Sequence, residues 1–270
     1  MLTSFDYFAP RPVDSLLELL DDNGENAEIL AGGTDLLVDI RNETIDPEKV
    51  INIKNIERFG GISNNEEGLT IGALVTCGEL INSEVVRNNY PYLIEAALNL
   101  GSRQVRNRAT VVGNLCNASP CADMARVLLC AEAEAVVSSS QETRTMPLEE
   151  LFTGVKETSL ADNEIVEAVR VPPEMANRPG GNKKLKRIKG HDLSLASVSM
   201  IKKEDSFNIT IGSCSPTPAL LADIDSDIEE EQLLEEVEGA INPIDDQRAS
   251  KEYRYFMVKT YVKRLRDELG

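Results

Sequence analysis

The chain is poor in residues that many functions need. It has no tryptophan, aromatics make up only 4 %, and His191 is its single histidine. So few rings argue against a platform on which nucleic-acid bases stack. One histidine is too few for a metal-bound hydrolase, and no catalytic triad is visible around it. Positive charge is scarce too: 28 Lys and Arg stand against 46 Asp and Glu, a net charge of -18. A nucleic-acid binder would carry a basic face, so that class is not expected. No apolar run reaches the length of a membrane-spanning helix. The opening MLTSFDYFAPRP has neither a basic nor an apolar leader segment, so no secretory signal is expected. The five cysteines form no C-x-x-C pair; four residues separate Cys116 from Cys121, and Cys77, Cys130 and Cys214 stand apart. That spacing favours free thiols in a reducing cytoplasm over a disulfide framework or a metal site.

What is present is ordinary globular material. The 270 residues are 41 % hydrophobic and 27 % charged, enough for two domains or one large one. Leucines at 16, 17, 19 and 20 predict an amphipathic helix over 13–22, between Pro12 and Gly24. Strands are predicted at 28–31, 49–53, 69–75 and 134–138, and helices at 78–87, 92–100 and 122–131. Residues 104–116 read as strand-like. PPEMANRPGGNK at 172–183 marks a boundary or long loop. Beyond it, 193–202 and 207–214 read as strands paired across Glu204-Asp205. The acid-rich 223–238 and the segment 246–268 read as helical. The acid run carries nine carboxylates and no base, and its plain reading is a solvated face. KKLKRIK at 183–189 stands alone as a basic cluster.

Two stretches suggest chemistry. In AEILAGGTDLL, residues 27–37, two glycines follow a strand. They permit positive φ and remove the Cβ atoms that block close approach, so several N–H groups can converge on an anion. A plain strand-to-helix turn is the competing reading. It is neither G-x-G-x-x-G nor a P-loop. In GSRQVRNRATVVGNLCNASPCADMAR, residues 101–126, Thr110, Gly113, Asn114, Asn117 and Ser119 place small and hydrogen-bonding groups within ten positions. Asp123 then starts a helix. Two such loops suit an extended diphosphate ligand better than a single phosphate.

AGGTDLL at 31–37, RNRATVVGNLCNASPCAD at 106–123 and DQRASKEYR at 246–254 together resemble the flavoprotein (medium) subunit of molybdenum hydroxylases. This is the class of bacterial xanthine dehydrogenase and aerobic carbon monoxide dehydrogenase. The family pattern reads A-G-G-T-D-L, then R-N-x-G-T-I-G-G-N-x-x-x-A-S-P-x-x-D, then K-x-x-R-R and D-x-R-x-S-x-x-Y-R. The matches span nearly the whole chain. It departs at Ala109 and Val112, which replace glycines, and at Ile188, which replaces the second arginine of the basic motif.

The resemblance implies an α+β fold. A two-lobed FAD-binding domain of the vanillyl-alcohol-oxidase (PCMH) type would cover 1–173, with lobes of about 1–55 and 56–173. A small α+β domain with a three-stranded antiparallel sheet and helices would cover 174–270. By motif position, Ile29, Leu30, Ala31, Gly32, Gly33, Thr34, Asp35 and Leu36 would hold the FAD diphosphate and its flanks. Thr110, Val111, Val112, Gly113, Asn114, Cys116 and Asn117 would do so from the second loop. Leu100 and Gly101 would line the nucleotide, Asp123 would accept from a ribityl or ribose hydroxyl, and Val166 would pack on the isoalloxazine. Lys184 would sit near the flavin ring, where a cation stabilises the reduced form. Lys183, Lys186 and Lys189 are expected at the surface, and a basic strand edge that discourages aggregation is the plain alternative for the cluster. His191 is expected to be structural or at the surface, and the FAD noncovalent.

The implied activity is electron transfer by one oxidoreductase subunit of a larger enzyme, with no catalytic or metal-ligating residue of its own. [2Fe–2S] clusters would lie on a small partner chain and the molybdenum cofactor on a large one. The assembly would be a dimer of heterotrimers, NAD(P)+ the acceptor, and neither nucleic acid nor membrane a partner. A self-contained FAD oxidoreductase and a non-catalytic nucleotide-binding interaction protein are the alternatives.

Overall fold

Three main β-sheets follow one another along the chain. The computed structural model describes residues 4–270, so Met1–Thr3 of the opening stretch lie outside it. The first sheet has Lys49–Asn52 at its centre, flanked by Asp6–Phe8 and Ala27–Leu30, and both pairings are parallel. Parallel neighbours need crossovers, and helices Val13–Asn23 and Leu36–Arg41 supply them. Val13–Asn23 buries Leu16 and Leu20, one turn apart on its inner face.

The second sheet is antiparallel, in the order Ile62–Asn65, Gly68–Gly72, Ile165–Val171, Glu134–Ser138, Thr143–Pro147. Its helices lie between Gly68–Gly72 and Glu134–Ser138: Cys77–Asn82, Glu84–Asn89, Pro91–Asn99, Arg103–Arg106, Val111–Cys116 and Asp123–Cys130. A small hairpin, Phe152–Gly154 with Glu157–Thr158, precedes the central strand. The strand-like reading of 104–116 is wrong. Ser102 Oγ accepts from the Val105 N–H at 3.3 Å, and Thr110 Oγ1 from the Gly113 N–H at 3.0 Å. These two caps start short helices, and capping overrides the β preference of Val111 and Val112.

The third sheet is a meander of Gly180–Leu185, Ala196–Lys202, Ser206–Gly212 and Ala219–Asp225. It has four strands, not three. The fourth takes Asp223 and Asp225 from the acid run, and charged side chains suit an exposed edge. Only the rest of that run is helical, in Glu230–Gly239. The last helix, Lys251–Leu269, covers the sheet with Arg254, Val258, Tyr261, Val262 and Leu265; Tyr253 and Phe256 face outward. Among the described residues, no helix is long and apolar enough to cross a membrane.

Arg254 is 1 % exposed and is held by Asp246 at 2.8 Å, while Asp246 also accepts from Arg248 at 2.7 Å. Burial pushes the Asp246 carboxyl up, but hydrogen bonds from Arg248, from backbone N–H groups and from Arg254 outweigh it and hold it well below the usual range. A depressed carboxyl gives stability that is full above its unfolded value of about 3.9 and is lost as the pH falls through the folded one. The region around the last helix is therefore expected to loosen only below about pH 4. Asp246→Ala, which leaves Arg254 buried without an anion, is expected to cost ~3–5 kcal/mol in denaturant unfolding.

Candidate functional site

All three sheets contribute to one cavity of about 960 Å³. That lies near the top of the roughly 300–1,000 Å³ range of ligand sites. Both sequence-singled loops, Leu100–Gly101, Asp123, Val166 and Lys184 line it. Leu30 and Val111 do not. Leu30 packs with Ile40 and Val50, and Val111 is fully buried in the main core. A strand or helix turns alternate side chains away from any one wall, so contiguous motif residues cannot all reach it.

The first wall is the turn from strand Ala27–Leu30 into helix Leu36–Arg41. Gly33 adopts φ +72°, a conformation that glycine takes without strain. A Cβ on Gly32 would lie 2.2 Å from the Arg108 carbonyl oxygen, so backbone passes backbone here with no room for a side chain. Among the described residues, none accepts a hydrogen bond from the backbone N–H of Gly32, Gly33, Thr34, Asp35 or Leu36. Five consecutive unspent donors in a segment that lines the cavity are available to an anion. Lys54 Nζ, donating to the Ala31 carbonyl at 3.1 Å, steadies the turn.

The second wall is built by helix starts. Thr110 caps Val111–Cys116, and Asn114 Oδ1 accepts from the Met124 N–H at 3.0 Å, tying that helix to Asp123–Cys130. Gly101 takes φ +48°, and the Arg106 guanidinium donates to the Leu98, Leu100 and Gly101 carbonyls at 3.3, 2.9 and 3.1 Å. Arg106 thus satisfies the end of helix Pro91–Asn99 and fixes the Leu100–Gly101 turn. Burial pushes the Cys116 thiol up to about 12, so it lines the wall as a neutral group. Thr110→Val removes the cap and is expected to cost ~1 kcal/mol by denaturant titration.

The third wall joins the last sheet to the rest. Lys184 Nζ lies 2.7 Å from Asp123 Oδ2 and donates to the Asn99 carbonyl at 3.1 Å. Both side chains are nearly buried, at 4 % and 6 % exposure. Asp123 Oδ1 has no hydrogen-bond partner among the described residues. Lys183 instead reaches Glu268 at 2.7 Å on the surface.

Charge at this cavity is mostly negative. Glu28, Asp35, Asp39, Asp123, Glu164 and Asp192 line it against Lys156 and Lys184, with His191 at the rim. Both lysines are paired, Lys156 with Asp39 at 2.8 Å. Burial and then Asp39 raise the Glu28 carboxyl. An anion here must therefore be held by neutral N–H donors and kept away from the acids. Glu28, Asp39, Lys156, Cys121 and the residues 191–193 escaped the sequence reading. They come from separate segments, and no short pattern joins them.

Residues 3–174 match the family model described as the FAD binding domain in molybdopterin dehydrogenase. The chain belongs to that family. It is similar to the carbon monoxide dehydrogenase medium chain of Hydrogenophaga pseudoflava, with 30 % identity over 96 % of this chain and 95 % of the relative. The putative xanthine dehydrogenase FAD-binding subunit of Escherichia coli (strain K12) is 29 % identical over 93 % of this chain and 91 % of its own. Among solved structures, Hydrogenophaga pseudoflava carbon monoxide dehydrogenase lacking the Mo-pyranopterin moiety superposes with a TM-score of 0.92. It shares 28 % identity and covers 99 % of this chain and 97 % of that one. The chain is thus an FAD-binding oxidoreductase subunit of the molybdenum hydroxylase type, with an α+β fold.

Proposed function

We propose that this chain binds FAD noncovalently in the described cavity and passes electrons from [2Fe–2S] clusters of a small partner chain to NAD(P)+. A large partner chain holds the molybdenum cofactor, where the substrate is oxidised, and the assembly is a cytoplasmic dimer of heterotrimers. One observation carries the reading: a segment with five consecutive unspent N–H donors and the nearly buried Asp123 line the same cavity. The first suits a diphosphate and the second a cofactor hydroxyl. Bound FAD would supply the exchange of electrons singly on one side and as a pair on the other.

The chain's own residues bind, orient and shield. Gly32 and Gly33 admit the diphosphate to bare backbone, and Thr34, Asp35 and Leu36 add the remaining N–H donors. Leu100 and Gly101 shape the nucleotide end. Val166, on the central strand of the second sheet, lines the cavity where the ring would pack. Lys184 brings positive charge to the wall while Asp123 holds it in place. The relatives named for carbon monoxide and xanthine dehydrogenases support the partner chains.

The test is anaerobic reduction of the purified assembly with NADH, followed by metal analysis. Bleaching of the flavin band by NADH, with iron and molybdenum on separate co-purifying chains, is the expected result. Flavin that resists NADH yet bleaches with a quinol or reduced ferredoxin would overturn the NAD(P)+ assignment.

A further inference from the structure

Behind the wall formed by Asp123 and Lys184 lies a third charge. Arg126 is 1 % exposed, one turn along the helix from Asp123. Its Nε donates to Ser199 Oγ at 2.8 Å, Ser199 Oγ donates to Asn182 Oδ1 at 2.5 Å, and Asn182 Nδ2 donates to the Tyr92 carbonyl at 3.0 Å. The guanidinium's own side-chain acceptor, Ser199 Oγ, is neutral, and a carboxylate joins the chain only at its far end, where Asn182 Nδ2 also donates to Glu95 Oε2 at 3.5 Å. The guanidinium's nearest anion is Asp123, with Nη1 to Oδ1 at 3.8 Å, and Arg126 Nη2 has no partner among the described residues. Glu95, the next carboxylate, is exposed and accepts from the Asn182 N–H.

Two buried cations therefore share one buried carboxylate. Lys184 sits at 2.7 Å and takes most of it, so the charge left over belongs to Arg126. Uncompensated charge in a poorly screened interior is costly. An apolar side chain would fill the space without that cost, so packing alone does not account for an arginine here.

We propose that Arg126 is a positioning residue of the cofactor site. It acts through Asp123, which it and Lys184 hold in place on the cavity wall. Its excess charge also favours the reduced cofactor, the more negative of the two redox forms. This rests on the reading of the cavity as an FAD site.

The test uses the full chain with the partners that co-purify, as wild type, Arg126→Gln, Arg126→Lys and Ser199→Ala. Flavin content, the two-electron potential by anaerobic dye equilibration, and thermal stability are measured on each. Arg126→Gln is expected to lower the preference for reduced over oxidised FAD about tenfold, a fall of about 30 mV. Arg126→Lys is expected to restore most of it. Ser199→Ala, which removes the link to the last sheet and keeps the charge, is expected to lose stability at unchanged potential. A wild-type potential in Arg126→Gln, or an equal fall in Ser199→Ala, would show docking alone and overturn the proposal. Should Arg126→Gln not fold, a downward shift in Ser199→Ala overturns it and constancy there supports it. A wild-type chain that holds no flavin removes the FAD reading first, and the proposal with it.

Discussion

Replacing Gly32 with alanine is expected to strip the chain of FAD, to less than about a tenth of the wild-type flavin content, because the new methyl has nowhere to go. Its nearest neighbours are the carbonyl oxygen and carbon of Arg108 and the Cα of Ala109, at 2.2, 3.0 and 3.1 Å, all main-chain atoms. The turn must move off Arg108, and the nest of N–H donors moves with it. Gly33→Val should act through strain at φ +72°, with contacts to the yielding ends of Leu30 and Leu37. It is therefore expected to retain some flavin where Gly32→Ala retains almost none. Acid release and chromatography of the flavin measure both. Far-UV circular dichroism should show the remaining sheets intact, since the third sheet has its own apolar cluster. Full flavin content in Gly32→Ala would remove this loop from the site.

Asp123→Ala should be severely damaging to stability. It leaves Lys184 and Arg126 together in a wall almost closed to water, with no carboxylate in contact. Breaking a buried pair from one side costs ~3–5 kcal/mol. For a chain of this size that lowers Tm by roughly 10 °C. Adding Lys184→Met should recover part of the loss, because one unpaired cation then disappears. Additive losses in this cycle, measured by denaturant unfolding, would mean that the two side chains do not interact.

The sequence exposed those parts of the site that depend on short-range pattern. Two glycines after a strand, a cluster of small hydrogen-bonding residues from Thr110 to Ser119 and a carboxylate at a helix start act within a few residues, and the structure lines the cavity with them. The same locality explains the errors. Thr110, Val111 and Val112 have a β composition, and only the bond from the Gly113 N–H to Thr110 turns them into a helix start. Leu30 and Val111 sit inside the two loop motifs, yet their side chains pack in the core. The fourth strand of the last sheet hides in an acid run because an edge strand need not alternate cleanly. Arg126 found no place in the sequence reading because its partner Ser199 lies 73 residues away. Glu28, Asp39 and Lys156 were illegible for the same reason.

Every residue role at the three-walled cavity depends on its holding FAD. The most direct measurement is the visible spectrum of the purified chain, before and after incubation with FAD and gel filtration, followed by acid precipitation. One FAD per chain is expected, with a flavin band that bleaches on reduction and a chromophore released intact into the supernatant. A colourless chain that takes up no FAD would contradict it, leaving five N–H donors and the Asp123 oxygen without a ligand. Flavin that stays with the precipitated protein would contradict noncovalent binding.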